Sequence, residues 1–423
     1  MIGSDDAVSA LSATGFPEHE VRRRARTGLG AAFPAMTHYG SALFGELAPV
    51  AATDALDRAR LVPPIFVPKR MAALIELGRE PLPGDVDLTT VIGGLNATAP
   101  IYISAFGSTA AASGDLGIAV AAQAAAAGIP MVIGENIVPV SGYGRVIDEE
   151  ASSLLSRIAE YAASVPDGFG GVVVQQSTED ADAEVWNLVY SDPTAAALSA
   201  TGRLAFELKV GQGAKPGLGG MTMVSREQAA HLAAQYDLVD IYGGAQTPVL
   251  RCGTPGTFDE EILRRQIMLM RNNYPRCRVW VKLPPARDVH RAAALAWAAG
   301  ADAVTVDGAE GGTGWAPLGF LGQVGLPLAE CLRRIDVGDN SLLASGRIWE
   351  GGRAVKCLAL GASAVGLGRA ALIAADEDPD QGLTGLLDCL AFELRLMISA
   401  LGCYRVGDLG TGDVWFPGAD EQR

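Results

Sequence analysis

The chain has 423 residues, of which 49% are hydrophobic, so it can bury the core of one large α/β domain or of two smaller ones. Aspartates and glutamates number 48 against 33 lysines and arginines, and the net charge of -15 argues against binding to nucleic acid or to an anionic membrane. Six cysteines occur without a CxxC pair and only four histidines are present, which disfavours a metal site.

The N-terminal region shows no targeting signal. Residues 1–15 lack the positive segment and the apolar core of a signal peptide. The alanine-rich stretch 117–134 contains a glutamine and a Gly-Ile-Pro break, which predicts a buried helix leading into a strand and not a membrane span. We therefore expect a cytoplasmic protein. Residues 1–95 are predicted to form a helical and irregular extension, in which the arginine-rich run 21–28 is interpreted as a solvated helix face.

Eight short apolar, β-branched runs follow, most of them separated by alanine-rich amphipathic stretches. They lie at residues 101–105, 130–134, 171–176, 204–210, 279–283, 303–308, 342–346 and 363–368. Apolar runs that alternate with helical periods are typical of parallel strands covered by helices. The pattern predicts an α/β fold of the (β/α)8 TIM barrel type over residues 96–375, with its active site in the loops at the carboxyl ends of the strands.

Two further segments do not fit the regular repeat. Residues 211–275 are too many for one barrel loop and begin with a glycine-rich stretch, so we predict an insertion that folds over the barrel mouth. Residues 376–423 are predicted to form a C-terminal helical tail.

The tightest unit of the sequence is ASGRIWEGGRAVKCLALGASAVGLGR, residues 344–369. One run ends in Ser-Gly-Arg and the next in Gly-Leu-Gly-Arg. Glycines at strand ends let backbone N–H groups approach an anion closely, and a following helix N-terminus adds partial positive charge. We therefore predict a phosphate site at Gly346, Arg347, Gly368 and Arg369. The alternative is that Gly346, Gly366 and Gly368 only relieve crowding at the strand ends.

This unit resembles the paired phosphate-binding strands of the FMN-dependent barrel oxidoreductases and of their relatives, the inosine monophosphate dehydrogenases and type 2 isopentenyl diphosphate isomerases. The resemblance implies FMN as the cofactor. It places Lys282 against the flavin N1 and C2 carbonyl, where a cation would raise the reduction potential; the alternative is a lysine that extends to the surface. The flavin contacts predicted from the resemblance are Ser104, Ala105, Gly107, Gln176, Lys209, Lys282, Asp307, Gly311, Gly312, Thr313, Ser345, Gly346, Arg347, Gly366, Gly368 and Arg369.

Four segments are similar to the FMN domain of glutamate synthase. FELKVGQGAKPGLGG (206–220) resembles its EIK-x-x-QGAKPG-x-GG segment, and VDGAEGGTGWAP (306–317) resembles its GGTGASP loop. SAFGSTA (104–110) and VIGEN (132–136) are similar to its SFGALS and TGEGG. The resemblance implies that the catalytic residues Lys209, Gln212, Lys215 and Glu135 occupy the flavin and 2-oxoglutarate site. Cations there would bind a carboxylate and polarise a 2-oxo or 2-imino group, and the amide would orient it.

The sequence also departs from glutamate synthase. We expect no glutaminase domain before the barrel, and the iron–sulfur cysteine run after the last strand is replaced by a cysteine-free segment, residues 368–385. GEGGQLPG is replaced by GLGGMTMV (217–224), so we expect a different substrate. We predict an FMN-dependent oxidoreductase that acts on an amino-acid-like, 2-oxo or 2-imino acid by hydride transfer at flavin N5. It would use a diffusible electron acceptor such as oxygen, and we expect a homo-oligomer.

Two alternatives stay open, and two others are disfavoured by the residues. The GGTGWAP loop, with Trp315, resembles that of the redox-neutral isomerases, and a flavin-free barrel could serve as a partner subunit. Oxidases of 2-hydroxy acids need a histidine after a late strand, and none of the four occupies such a place. Inosine monophosphate dehydrogenases need a cysteine nucleophile, which residues 307–330 lack.

Overall fold

The computed structural model describes most of the chain. The ranges that it describes are 11–38, 54–66, 80–106, 115–134, 148–178, 184–213, 221–234, 236–252, 258–313 and 316–418. The strands are β1 (Arg60–Leu61), β2 (Thr90–Ile92), β3 (Leu95–Ala97), β4 (Ile101–Phe106), β5 (Met131–Ile133), β6 (Val172–Ser177), β7 (Leu204–Lys209), β8 (Met221–Val224), β9 (Asp237–Val239), β10 (Val249–Cys252), β11 (Arg278–Leu283), β12 (Ala303–Asp307), β13 (Leu342–Ser345), β14 (Ala364–Leu367) and β15 (Val414–Trp415). The α-helices are Glu18–Thr27, Ala55–Arg58, Asp115–Ala126, Asp148–Ser164, Glu184–Ser191, Pro193–Ala200, Arg226–Leu232, Glu260–Asn273, Val289–Ala298, Leu318–Gln323, Leu328–Arg334, Gly351–Ala359, Arg369–Glu377 and Gly382–Ala400.

Eight parallel strands close into a barrel in the order β4, β5, β6, β7, β11, β12, β13, β14, with β14 pairing back to β4. Each of these strands overlaps one of the eight apolar runs, so the predicted (β/α)8 barrel is confirmed. The runs form strands because both faces are buried, one against the helices and one inside the barrel.

The amino-terminal end of the barrel is filled by one layer of interior side chains. This layer consists of Tyr102, Val132, Val173, Ala205, Trp280, Ala303, Leu343 and Ala364. The antiparallel hairpin β2–β3 packs Ile92, Leu95 and Ala97 against it, and the Trp280 indole donates a 3.0 Å hydrogen bond to the Gly93 carbonyl. The hairpin therefore closes the end of the barrel opposite to the predicted active site.

The N-terminal helix Glu18–Thr27 docks on the two helices that follow the last barrel strand. Arg22 lies 2.8 Å from Asp376 and 3.1 Å from Glu377, and Arg24 lies 2.7 Å from Glu393. Arg24 is only 6% exposed. The prediction that this arginine run is a solvated face is therefore wrong for Arg22 and Arg24. Their acidic partners lie more than 350 residues later in the chain, where a local charge pattern cannot reveal them.

Two segments that lie far apart in the sequence pair outside the barrel. Strand β1 pairs antiparallel with β15, and Leu61 packs with Ala359 and Val414 in a small separate cluster. Strands β8, β10 and β9 form an antiparallel sheet between β7 and helix Glu260–Asn273, inside the range predicted to be an insertion. That this sheet covers the barrel mouth stays a prediction. None of the described helices is both long and apolar enough to cross a membrane.

Candidate functional site

The carboxyl end of the barrel interior is polar. Side chains alternate along a strand, so the residues two and four positions beyond the apolar layer face the same interior. This alternation places Lys209 at the end of β7, Lys282 on β11, Asp307 at the end of β12 and Ser345 at the end of β13. Lys282 is in register with Lys209, and Asp307 with Ser345. Four of the predicted site residues therefore meet on adjacent strands.

A buried ion pair lies at the centre of this group. The Lys282 ammonium is 3.0 Å from the Asp307 carboxylate, and both residues are 5% exposed. Lys282 is therefore not a surface lysine. Ser345 donates a hydrogen bond to Asp307, and so does the Gly213 N–H, at 3.2 Å. Burial alone would raise the pKa of Asp307, but the Lys282 charge and these hydrogen bonds together lower it below its ordinary value, which keeps the carboxylate ionised.

A second carboxyl group, Glu207, lies one interior layer deeper and is 1% exposed. It accepts a 3.0 Å hydrogen bond from Thr305 and another from Gln175. Burial raises the pKa of Glu207, although the nearby Lys282 charge opposes this. The sequence interpretation named Gln176 and missed Gln175. Gln176 donates its amide to the Gln175 carbonyl at 2.8 Å, and strand alternation puts its side chain on the other face.

The loop after β7 packs directly on the loop after β12. The Gln212 amide lies 3.3 Å from the Thr313 hydroxyl, which joins the two glycine-rich motifs. Gly213 has no space for a side chain, because a Cβ atom there would overlap the Gly308 carbonyl and reach within 3.0 Å of the Gly311 Cα. A glycine at position 213 is thus required for this contact between the loops.

The predicted phosphate end lies at the turns after β13 and β14. Gly346 has φ +135° and Arg347 has φ +57°, and helix Arg369–Glu377 begins directly after Gly368. A Cβ atom added to Gly368 would meet no atom within 4 Å, so open space faces this helix N-terminus. At Gly366 a Cβ atom would come within 2.6 Å of the Tyr102 ring. Relief of crowding therefore accounts for Gly366 but not for Gly368.

Arg369 is a partly buried cation beside that open space. It donates to the Glu310 carbonyl at 2.6 Å, and its guanidinium lies 4.4 Å from the centre of the Phe16 ring. In the described part of the chain no carboxylate lies within 4.0 Å of it. Burial and the neighbouring charges of Arg347 and Arg353 lower its pKa to about 10. A cation destabilised by other cations, next to a helix N-terminus, fits a phosphate group that would supply the missing negative charge.

The remaining predicted residues fall into two groups. Ser104 and Ala105 lie near the end of β4, where Ser104 adjoins Gly366, and Gly312 contacts the Arg369 side chain. Gly107, Glu135 and Lys215 lie outside the described residues, as do Gly314 and Trp315 of the loop on which the isomerase alternative depends.

Histidines and cysteines do not contribute to the described mouth. His19, His38, His231 and His290 are all exposed and lie on helical segments, not at the end of a barrel strand. The six cysteines are free thiols and five of them are buried. Cys403 lies beyond the end of helix Gly382–Ala400. Within the described ranges, no group of three or more His, Cys, Asp or Glu residues could hold a metal ion.

Known proteins with this fold include flavin enzymes. A soluble mutant of the membrane-associated (S)-mandelate dehydrogenase from Pseudomonas putida matches with a TM-score of 0.53 and 20% identity, over 95% of this chain and 99% of that chain. A flavocytochrome b2 variant with bound pyruvate matches with a TM-score of 0.51 and 17% identity, over 85% of this chain and 77% of that chain. At these identities the similarity establishes the fold alone.

Sequence relatives are closer. An archaeal-type glutamate synthase from Dehalococcoides mccartyi is 33% identical over 191 residues, which cover 41% of this chain and 35% of the relative. A glutamate synthase large subunit-like protein from Rhizobium meliloti is 36% identical over 187 residues, 41% of this chain and 40% of the relative. The aligned part thus spans well under half the length of either relative.

The family model described as the conserved region in glutamate synthase matches residues 143–376, more than half of the chain. The matched range includes Lys209, Gln212, the Lys282–Asp307 pair and both turns of the phosphate end. On this match, the chain belongs to the family of the glutamate synthase conserved region.

Proposed function

We propose that this chain is an FMN-dependent oxidoreductase that acts on an amino-acid-like substrate, a 2-oxo or 2-imino acid or the corresponding amino acid. The main support is the arrangement at the barrel mouth. A buried lysine, Lys282, lies at the end of β11, and the turn after β14 carries Arg369, a partly buried arginine that no described carboxylate pairs with. Membership of the glutamate synthase family adds to this support. A mandelate oxidase with a similar fold binds an FMN adduct.

Two sets of residues would hold FMN. The N–H groups of the turns at Gly346–Arg347 and Gly368–Arg369 would bind the phosphate, together with the Arg369 guanidinium. Lys282 would provide positive charge at the flavin ring, and the ion pair with Asp307 would fix the direction in which its ammonium points. Bound there, FMN would supply hydride chemistry at its N5 atom.

Lys209, Gln212 and Lys215 are proposed to bind the substrate. Two lysines and one amide suit a substrate with a carboxylate next to a 2-oxo or 2-imino group, because the cations would balance the acid and polarise the double bond. Gln212 is held in place by its contact with Thr313, so its amide can orient the substrate without a large loss of conformational freedom. Glu135 is assigned to the same site by the family motif alone.

We further propose that electrons leave or enter through a diffusible partner, such as oxygen, a nicotinamide or a small redox protein. Residues 368–385, which follow the last barrel strand, contain no cysteine that could ligate an iron–sulfur cluster there. Iron and acid-labile sulfide in stoichiometric amounts in the purified protein would contradict this part of the proposal.

The central experiment is anaerobic titration of the flavin-loaded protein with a panel of amino acids, amines and 2-oxo acids. We expect bleaching of the visible flavin absorbance by one amino-acid class, or reoxidation of the chemically reduced protein by one 2-oxo or 2-imino acid. Failure of the purified protein to bind FMN would contradict the proposed cofactor. Flavin binding without any electron exchange, combined with turnover of a redox-neutral substrate, would favour the isomerase alternative.

A variant separates a substrate role from a structural one. Gln212→Ala should lower turnover by about 100-fold while leaving FMN bound, because it removes one positioned donor. The matched control is Gln323→Ala on an exposed helix surface, which should change neither turnover nor FMN binding. Equal loss of FMN and turnover in Gln212→Ala would mean that this side chain only holds the two loops together.

A further inference from the structure

The turn that follows β13 is strained and is held from outside the barrel. In the described ranges Arg347 is the only residue other than glycine with a positive φ, which L-amino acids adopt at an energetic cost. The Arg347 guanidinium lies 2.6 Å from the Asp57 carboxylate. Asp57 belongs to helix Ala55–Arg58, which precedes the barrel in the chain. A residue of the N-terminal extension thus binds the side chain of the strained residue.

Asp57 closes a ring of contacts around this turn. Its second carboxylate oxygen accepts from Arg353 at 2.9 Å, and Arg353 donates two hydrogen bonds to the Gly346 carbonyl, at 3.2 and 3.3 Å. Asp54 adds a further partner, 2.8 Å from Arg353. Both residues of the turn, Gly346 through its carbonyl and Arg347 through its side chain, are therefore connected to one carboxylate.

The second turn is also contacted by the extension. Phe16 lies over the Arg369 guanidinium at 4.4 Å, directly after the turn at Gly368. The two arginines differ in charge balance. Arg347 is paired with Asp57, whereas Arg369 lacks a carboxylate partner among the described residues. An anion bound at the predicted phosphate end would therefore meet the backbone of the Gly346–Arg347 turn and the guanidinium charge of Arg369, which no described carboxylate balances.

We infer that Asp57 is a positioning residue for the phosphate end of the flavin site, and that the N-terminal extension forms the back of that site. A buried ion pair contributes little net stability by itself, because desolvation of both charges offsets their attraction. Its specific effect here is to hold the Gly346–Arg347 turn in a conformation that it would otherwise leave. The ligand recognised through this turn is a phosphate monoester. The inference rests on the proposed function, since it takes FMN as the source of that group.

The test compares FMN with riboflavin, which has the same ring and no phosphate. Binding of each flavin to the protein stripped of cofactor would be measured by quenching of flavin fluorescence. Asp57→Asn should weaken FMN binding by about tenfold or more and leave riboflavin binding within about twofold. An equal loss for the two flavins, or no loss for FMN, would overturn the inference.

Asp376→Asn is the matched control. Asp376 also ties the N-terminal extension to the barrel, through Arg22 at 2.8 Å, and its side chain is 15% exposed against 12% for Asp57. It lies seven residues beyond Arg369, about 10 Å along the helix, and contacts neither turn. This variant should leave the ratio of FMN to riboflavin affinity unchanged. A ratio that falls as far as in Asp57→Asn would mean that docking in general, and not Asp57, sets phosphate recognition.

A measurement on the unaltered protein covers the case in which Asp57→Asn does not fold. FMN should slow amide hydrogen exchange in helix Ala55–Arg58 more than saturating riboflavin does, and equal protection by the two flavins would overturn the inference. If the unaltered protein binds neither flavin, the proposed function itself fails. If the unaltered protein binds both flavins and Asp57→Asn keeps the same ratio of FMN to riboflavin affinity, only the present inference fails.

Discussion

Gly366 and Gly368 are two residues apart, but the structure gives them different roles. The missing side chain of Gly366 makes room for the Tyr102 ring, whereas Gly368 faces open space at a helix N-terminus. The sequence predicted both as flavin contacts. It could not separate them, because the Tyr102 ring that contacts Gly366 is contributed by a strand more than 260 residues earlier.

These two glycines should respond in opposite ways to the same substitution. Gly366→Val should destabilise the fold by about 3 kcal/mol, because the new side chain overlaps the Tyr102 ring. Gly368→Val should change the unfolding free energy by less than about 1 kcal/mol and abolish retention of FMN. Chemical denaturation of the cofactor-free variants measures the change in unfolding free energy. The flavin content after purification measures the retention of FMN. Full flavin content in Gly368→Val would show that the phosphate site is misplaced.

Lys282 carries its charge in a place that water hardly reaches, with Asp307 on one side and Glu207 beneath. The sequence located this lysine correctly at a strand end in the barrel interior. It did not reveal Glu207 as an interior residue, although alternation along β7 from Lys209 would have done so. Its partners Gln175 and Thr305 could not be paired with it, because they lie on other strands.

Neutralising this lysine should change the redox properties of the bound flavin. Lys282→Met removes the positive charge proposed to stabilise the reduced ring, so we expect the reduction potential to fall by several tens of millivolts. Lys282→Arg, which keeps the charge, is the control and should retain most of the potential. Spectroelectrochemical titration of both variants makes the measurement. A potential in Lys282→Met equal to that of the unaltered protein would place Lys282 away from the ring.

The strands were predictable as elements because each is apolar over a short run and buried on both faces. The way the helices dock on one another was not predictable from the sequence. The arginines of helix Glu18–Thr27 gave a charge pattern typical of a solvated surface, and only the fold brings Asp376, Glu377 and Glu393 opposite them. The pairing of β1 with β15 joins residues 60 and 415, which no local pattern can predict.

The contact between Arg24 and Glu393 should be the strongest single test of helix docking. Arg24 also lies 4.7 Å from the centre of the Trp349 ring, and Glu393 accepts from the Gly351 N–H at 2.7 Å, at the start of another helix. Arg24→Ala would leave the Glu393 charge buried without this partner, so we expect a loss of about 3 kcal/mol or more in unfolding free energy. Glu261→Gln, which breaks the exposed ion pairs with Arg264 and Arg265, should leave the denaturation midpoint nearly unchanged. A similar small effect in both variants would contradict the role of the buried pair.

At the scale of the whole molecule, the region shared with the glutamate synthase family is not a complete barrel. The match begins at residue 143, after β4 and β5, and ends at residue 376, before the last long helix, Gly382–Ala400, begins. The N-terminal and C-terminal segments outside the match pack on one another, and the N-terminal segment contacts both turns of the predicted phosphate end through Asp57 and Phe16. The sequence motifs therefore predicted the strand ends of the site, while its outer wall is built from parts of the chain that carry no recognisable motif.

Glu310, whose charge interacts with Asp54 of the N-terminal extension, should make the stability of the protein depend on pH. Its carboxylate accepts from the Leu328 N–H at 3.0 Å and lies 3.8 Å from Arg353. Burial, assisted by the charge of Asp54 and opposed by Arg353, raises the pKa of Glu310 from 4.5 to about 7. In the unfolded chain this group ionises near its ordinary pKa, so between pH 4.5 and 7 the folded protein binds more protons than the unfolded one. Ionisation of Glu310 therefore lowers stability progressively as pH rises through this window.

Glu310→Gln removes that ionisation and keeps an oxygen that can accept from Leu328. The variant should gain stability relative to the unaltered protein as pH rises from 4.5 to 7, by a total of about 3 kcal/mol, with no further change above that window. Unfolding free energies of the two proteins by denaturant titration, at half-unit steps from pH 5 to 8, give the difference directly. A constant difference over this range would show that Glu310 ionises alike in both states. A difference of the opposite sign would show that Arg353 stabilises the carboxylate more than burial disfavours it.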